Sequence, residues 1–86
     1  MKYQRDGSIF DAYQTNGPVV GSPEWLLKAI EDKVVDFDAK GRGLDVLTIS
    51  GRMLAPWGHW IVRAESGVLN VLPDDYFKRE YQPVDG

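Results

Sequence analysis

The chain has 86 residues, the length of one small domain, and its hydrophobic (43%) and charged (27%) fractions are those of a folded rather than a disordered protein. Its net charge of −3 argues against direct nucleic-acid binding, which normally needs a surplus of basic residues. The absence of cysteine excludes disulfides and thiolate metal sites, and no segment resembles a signal peptide or approaches the ~20 apolar residues of a membrane span, so we expect a cytoplasmic protein.

The first half of the chain predicts a strand followed by the main helix. Residues 8–15 alternate polar and apolar side chains and are typical of an edge or pairing strand, which Asn-Gly-Pro at 16–18 ends. Ser-Pro-Glu at 22–24 is typical of a helix start, because serine caps backbone amides, proline fixes the first turn and glutamate suits the positive end of the helix dipole. The helix is predicted over about 23–33, with one apolar face that packs on a sheet: Trp25, Leu26, Ala29, Ile30 and Val34.

Short strands separated by turns are predicted for the second half. They cover residues 34–39, 44–49, 52–55, 60–64 and 68–72. Ser50-Gly51 forms a predicted two-residue hairpin turn, and Glu-Ser-Gly at 65–67 forms the next turn. Asp36 and Asp38 are predicted to lie on the solvent face of the first of these strands. The glycines around Arg42 predict a flexible loop, because no helix or Lys-Ser/Thr pair follows to make a phosphate-binding loop.

The end of the chain predicts a short helix and an extended tail. Pro-Asp-Asp at 73–75 opens the helix, and we expect its two aspartates to cap the positive end. Phe77 and Tyr81 are one helical turn apart, so they anchor this helix in the core. Pro83 keeps residues 81–84 extended. The predicted fold is therefore a single α+β domain over residues 1–86, with an antiparallel sheet of four or five strands, one main helix on one face and a short C-terminal helix.

The residues offer little catalytic chemistry. His59 is the single histidine and lacks the histidine or cysteine partners of a transition-metal site. The serines fall at strand ends and turns, where they serve the backbone, and none lies in a nucleophile-elbow pattern. Asp74 and Asp75 are adjacent and cannot converge on a substrate as an acid and a base. The sequence therefore predicts no enzyme, no catalytic residue, no metal and no cofactor.

One group of residues is a candidate for binding a partner or ligand: Arg52, Trp57, His59 and Arg63. If Trp60 faces the core, alternation along its strand points His59 and Arg63 outward, beside the loop that carries Trp57. Tryptophan and arginine are enriched at binding hot spots, and a loop tryptophan beside cations can stack on a base or fill a pocket on a protein. In the alternative interpretation, Trp57 folds back over the thin core and the cations are ordinary surface residues.

Two segments carry a family resemblance. The opening has Met-Lys-Tyr at 1–3, Asp-Ala at 11–12, Gln14 and Gly17, and the ending has Trp60, Gly67, Phe77, Tyr81, Pro83 and Val84. Their spacing resembles a family of small uncharacterised proteins of tailed phages and prophages, whose pattern is M-K-Y…(E/D)-A-x-Q-x-x-G and P-G-D-W…G…F-x-x-x-Y-x-P-V. The chain departs from that pattern by an inserted Trp57, by His59 in place of aspartate, and by Val68 and Asn70 in place of a glutamate and an aromatic residue.

The resemblance implies a phage or prophage origin and carries no settled activity. With the thin catalytic inventory, it favours a non-enzymatic accessory protein that binds and modulates a host protein, as a host-takeover or anti-defence inhibitor. One alternative is a small-molecule or nucleotide sponge, in which Trp57 or Tyr13 stacks on a base while Arg52 and Arg63 bind phosphate. Another is a structural or assembly module of a phage, in which an exposed edge strand at residues 8–15 drives homo-oligomer formation.

Overall fold

The computed structural model describes residues 2–16 and 23–84, which form eight strands and two helices. In chain order these are β1 Lys2–Arg5, β2 Ser8–Gln14, α1 Glu24–Glu31, β3 Val35–Phe37, β4 Gly43–Thr48, β5 Gly51–Pro56, β6 Trp60–Ala64, β7 Leu69–Leu72, α2 Asp74–Glu80 and β8 Gln82–Pro83. The α+β class is confirmed, and every strand pairing is antiparallel. Neither described helix is long and apolar enough to cross a membrane.

The strands form two sheets, whereas the sequence predicted one. The larger sheet has the order β7-β6-β2-β1-β8, and the smaller has the order β3-β4-β5. The strand predicted over residues 8–15 is confirmed as the pairing strand β2, which lies between β1 and β6 at the centre of the larger sheet, so the alternative of an exposed edge there was wrong. The segments of β1 and β8 were not recognised as strands, because four and two residues are too short to show a period.

Both faces of the larger sheet are covered. On one face, β6 contributes Ile61 to a core shared with Leu26 of α1 and with Val35, Leu44, Val46 and Ala55 of the smaller sheet. On the other face, Val62 and Trp60 pack with Phe77 of α2 and with Tyr81. The main helix therefore shares its side of the larger sheet with a second sheet. Because both faces of the larger sheet are covered, the side chains on both faces of β6 are buried or half-buried.

The apolar face of α1 agrees with the prediction. Leu26 is fully buried, and the flanking Trp25, Ala29, Ile30 and Val34 pack against the same core. The helix begins at Glu24, with Pro23 in extended conformation at the N-cap position and without a side-chain cap. The predicted cap Ser22, and the turn predicted from Gly17 and Pro18, lie outside the described residues.

The aromatic anchors of α2 are confirmed, and both aspartates lie in its first turn as predicted, where Asp75 accepts the Tyr76 amide at 2.9 Å. Phe77 is 2% exposed and stacks on Trp60 with ring centroids 3.9 Å apart. Pro73 occupies the N-cap position, where no side-chain cap bond forms. Asp74 makes no such bond to the helix backbone and accepts hydrogen bonds from the Trp60 indole (2.8 Å) and from the side-chain amide of Gln14 (3.2 Å). This carboxylate therefore ties α2 to the two central strands.

Candidate functional site

The four predicted binding residues lie in separate surroundings. Arg52 projects from β5 of the smaller sheet, whereas Arg63 projects from β6 of the larger sheet. Trp57 and His59 lie in the connection between these two strands. Among the described residues, Arg52 and Arg63 share no hydrogen-bond or ion-pair partner, so the structure does not bring the two cations together as one phosphate-binding pair.

Arg52 is held in place on the surface. One guanidinium nitrogen donates to the Lys33 carbonyl at 2.9 Å, and the other lies 3.5 Å from the carboxylate of Asp45 on the neighbouring strand. Its side chain is 45% exposed, so the ion pair itself contributes little to stability. The hydrogen bond to the Lys33 carbonyl already restricts the Arg52 side chain to few rotamers. Less conformational entropy would therefore be lost if this arginine contacted another molecule.

Trp57 lies across a turn and does not close the core. Its indole donates to the Gly41 carbonyl at 2.8 Å, its backbone amide donates to the Arg42 carbonyl, and the side chain is 43% exposed. It belongs to neither buried cluster. The indole is therefore fixed by one edge while much of its surface faces solvent.

Asp38 organises the turn on which Trp57 rests. Its carboxylate accepts the amides of Lys40 and Arg42 and a two-pronged contact from the Arg42 guanidinium, with nitrogen–oxygen distances of 2.9 to 3.1 Å. The side-chain hydrogen bond from Arg42 is the largest cause that holds the pKa of Asp38 far below its usual range. The prediction that Asp38 lies on the face of a strand was wrong, since β3 ends at Phe37. The segment around Arg42, which was predicted to be a flexible loop, is a turn that these hydrogen bonds hold in place.

Thr15 fixes the other side of the connection. Its side chain is fully buried, with the hydroxyl oxygen 2.7 Å from the Pro56 carbonyl and 2.9 Å from the His59 carbonyl. Its backbone amide also donates to His59, and the Gly58 amide donates back to Thr15. The backbone carbonyl of His59 therefore fixes the connection to Thr15 at the end of β2. The side chain of His59 is partly buried and makes no hydrogen bond to another predicted site residue.

Arg63 belongs to a different cluster, beneath α1. Its guanidinium contacts Asp11 at 2.7 Å and lies 5.5 Å from the centre of the Trp25 ring, in a cation–π arrangement. Lys2 contacts the other oxygen of Asp11 at 2.9 Å. Burial raises the pKa of Asp11, but the hydrogen bonds from Lys2 and Arg63 outweigh it and leave the pKa below its ordinary value.

This cluster lines a cavity of about 580 Å³ between α1 and the larger sheet. The volume is within the range of small-molecule sites. Three cations on its wall, Lys2, Lys28 and Arg63, are matched by three carboxylates, and two of the cations are already bound to Asp11. An anion entering this cavity would have to displace that carboxylate. The cavity therefore has no surplus of positive charge for a phosphate.

Sequence reasoning missed a surface on the smaller sheet. The registers place six side chains on the face that points away from the core, which we call the outer face: Asp36, Asp45, Leu47, Arg52, Leu54 and Pro56. The opposite face carries the fully buried Val35, Leu44, Val46 and Ala55, together with Phe37 and Met53, which are exposed. Leu47 is 44% exposed, and Ile49 in the adjoining turn is 81% exposed. The signal was present in the sequence, since Leu47 and Leu54 occupy the polar positions of an alternating hairpin.

The described residues contain no group of three side chains suited to hold a metal ion. The fold and these two surfaces define a small α+β domain with a partly exposed face on the smaller sheet and a charge-balanced cavity beside the larger one. No protein family, no curated protein and no solved structure matches the chain.

Proposed function

We propose that the protein is a non-enzymatic accessory protein of phage or prophage origin that binds a host protein through the outer face and inhibits or redirects it. One observation carries the binding surface: Leu47 and Arg52 are exposed and lie directly opposite each other on this face, with the half-buried Leu54 and Pro56 further along β5. The phage context comes from the sequence resemblance. The non-enzymatic part comes from the scarcity of catalytic groups.

The composition of the outer face supports a protein partner. A solvated face of an antiparallel sheet normally alternates to polar side chains, so apolar residues at these positions favour contact with another surface. An arginine held beside exposed apolar side chains is typical of interface hot spots. Trp57 and Ile49 extend the apolar surface at the two ends of the hairpin formed by β4 and β5.

The charges favour a protein over an anion. Arg52 shares its face with Asp36 and Asp45, so the patch has no surplus of positive charge to attract a nucleotide. Arg63, which the sponge hypothesis needs beside Arg52, is bound to Asp11 on the other sheet. We therefore propose a basic or neutral protein surface with an apolar centre as the partner, in which a carboxylate can meet Arg52.

The experiment is capture of partners by the tagged protein from host lysate, with Leu47→Glu as the test variant and Leu27→Glu as the control. The two leucines are similarly exposed, at 44% and 46%, but Leu27 lies on α1. Glu at position 47 lies directly opposite Arg52, which accommodates its charge in the fold. We expect one stoichiometric host protein with the wild type and with Leu27→Glu, and its loss with Leu47→Glu.

The captured protein is then purified and titrated directly. We expect Arg52→Ala to weaken the complex by about tenfold or more, as truncation of a hot-spot residue does. Equal binding by the Leu47→Glu variant would contradict the use of the outer face. Recovery of a nucleotide without any protein would replace the proposal by the sponge hypothesis.

A further inference from the structure

At three of the four edges of the described sheets, an outward backbone amide is already bonded to a side chain or is missing. At the edge formed by β3, the Phe37 amide donates to the Asp36 side chain at 2.8 Å. At the edge formed by β7, the Val71 amide donates to the Asn70 side chain at 2.9 Å. The last edge, β8, has only two residues, and Pro83 has no amide to offer. Such devices are how proteins keep sheet edges from pairing with other chains.

Strand β5 is the exception. It forms a hairpin with β4 around a two-residue turn, and the closing pair is Thr48 with Gly51. The closing pair of such a hairpin exchanges hydrogen bonds, and alternate residues then point their backbone groups outward. The outward residues are Arg52 and Leu54, and no described residue accepts their amide hydrogens. The edge therefore offers two amides and two carbonyls in a row.

We propose that β5 pairs with β5 of a second copy of this chain, in antiparallel orientation about a two-fold axis at Met53. In this register Arg52 of each copy lies opposite Leu54 of the other, and the two pairs exchange four backbone hydrogen bonds. The Met53 side chains, each 40% exposed, meet across the axis. The product is a six-stranded sheet with the order β3-β4-β5-β5-β4-β3.

Registers with the two-fold axis shifted by one residue in either direction are less favourable. The edge therefore favours one defined pairing with a second copy of the chain. An axis at Arg52 would place the two arginines opposite each other, and like charges in that position repel. An axis at Leu54 would place Arg52 opposite Pro56, which lacks an amide. Only the axis at Met53 satisfies every outward group of both strands and separates the two charges. A heterologous peptide would gain the amide bonds but not this symmetry.

The dimer uses little surface beyond one strand, so we expect it to be weak and dependent on concentration. Sedimentation velocity from low micromolar to millimolar chain concentration should show the mass rising from 9.7 kDa towards twice that value. Leu54→Pro removes an outward amide without removing a bond to β4, and it should abolish the rise. If that variant fails to fold, Met53→Lys places two like charges across the axis and should dissociate the dimer, with recovery in salt.

Cross-linking tests the register itself, because the chain has no cysteine of its own. Directly opposed residues of a non-hydrogen-bonded pair have Cα atoms about 4.5 Å apart, which suits a disulfide. Met53→Cys should therefore oxidise to a covalent dimer, and addition of Leu54→Pro should prevent it. The control is Ile49→Cys, which is highly exposed but lies about 25 Å from its copy in this register, so it should remain monomeric.

Three results would overturn the proposal. These are a monomer at millimolar concentration, a dimer unaffected in a folded Leu54→Pro variant, or cross-linking of Ile49→Cys as fast as Met53→Cys. The inference does not rest on the proposed host-protein interaction. It uses the backbone of β5, whereas that interaction uses side chains of the outer face.

Discussion

Thr15 supplies the sharpest test of how the connection between β5 and β6 is held. Its hydroxyl can donate its one hydrogen to the Pro56 or the His59 carbonyl, and Thr15→Val removes it while keeping the shape of the side chain. Both carbonyls keep a backbone donor, since the His59 amide donates to Pro56 at 2.9 Å and the Thr15 amide donates to His59 at 2.8 Å. No carbonyl is left unpaired, so the cost is one net hydrogen bond, about 1 kcal/mol.

Two further variants separate the hydroxyl from the methyl group. Thr15→Ser keeps the hydroxyl and loses one buried methyl, at a cost of about 1 kcal/mol. Thr15→Ala loses both groups, and we expect about 2 kcal/mol with some addition for the cavity. The measurement is urea unfolding followed by tryptophan fluorescence. In a thermal scan, a 1 kcal/mol change in a domain of this size shifts the Tm by about 4–8 °C.

The result that refutes this reasoning is specific. A loss above about 3 kcal/mol for Thr15→Val would mean that removing the hydroxyl leaves a buried group unsatisfied. A loss within error of zero would mean that the hydroxyl bonds are not formed in solution. Hydrogen exchange provides a second measurement, in which the Gly58 amide should exchange faster in Thr15→Val, because its acceptor is the Thr15 carbonyl.

Three other predictions follow from local contacts. The pKa of Asp38 is lowered in the fold, so the ionised carboxylate stabilises the protein above its ordinary pKa of about 4, and this stabilisation is lost as the pH falls further. The free energy of unfolding should therefore decrease less with falling pH in Asp38→Asn than in the wild type. An equal decrease in both proteins would contradict the contact. Gly43→Ala should cost about 3 kcal/mol in urea unfolding, because a Cβ there would meet the backbone of β5, with the Pro56 Cα only 2.8 Å away. Phe77→Ala should cost about 3–5 kcal/mol, whereas Phe37→Ala, at a side chain 53% exposed, should cost under about 1 kcal/mol; similar losses would refute the assignment of the core.

The elements that sequence predicted well are those with strong local signals. Strand 60–64 has the predicted bounds because Gly58 and the 65–67 turn limit it, and the helical spacing of α1 identified its buried face. The hairpin of β4 and β5 was also predicted, although its turn is Ile49-Ser50 rather than Ser50-Gly51. In each case the pattern depends on residues close together in the chain.

The errors arose where distant segments decide the structure. The alternation of polar and apolar residues over 8–15 left an edge strand and a pairing strand open, but Asp11 is polar for a different reason: it binds Lys2 and Arg63 under α1. The candidate binding site was predicted as one cluster for the same reason. Arg52 and Arg63 were grouped by nearness in sequence, yet β5 and β6 enter different sheets after the turn at Trp57. The periodicity of apolar residues in the local sequence does not indicate that β5 and β6 belong to different sheets.

The pairing of β2 with β6 has a consequence for how the chain folds. Asp11 and Arg63 are direct neighbours in this pairing, and all of β3, β4 and β5 lies between them in sequence. The smaller sheet pairs only neighbouring strands, and a single β-hairpin such as β4–β5 forms in about 1–10 μs, whereas the larger sheet must first close a long loop. We expect the smaller sheet to be the early nucleus, with high φ-values at Val46 and low values at Ala12. The surface proposed to bind a host protein would then be the first part of the molecule to take its native shape.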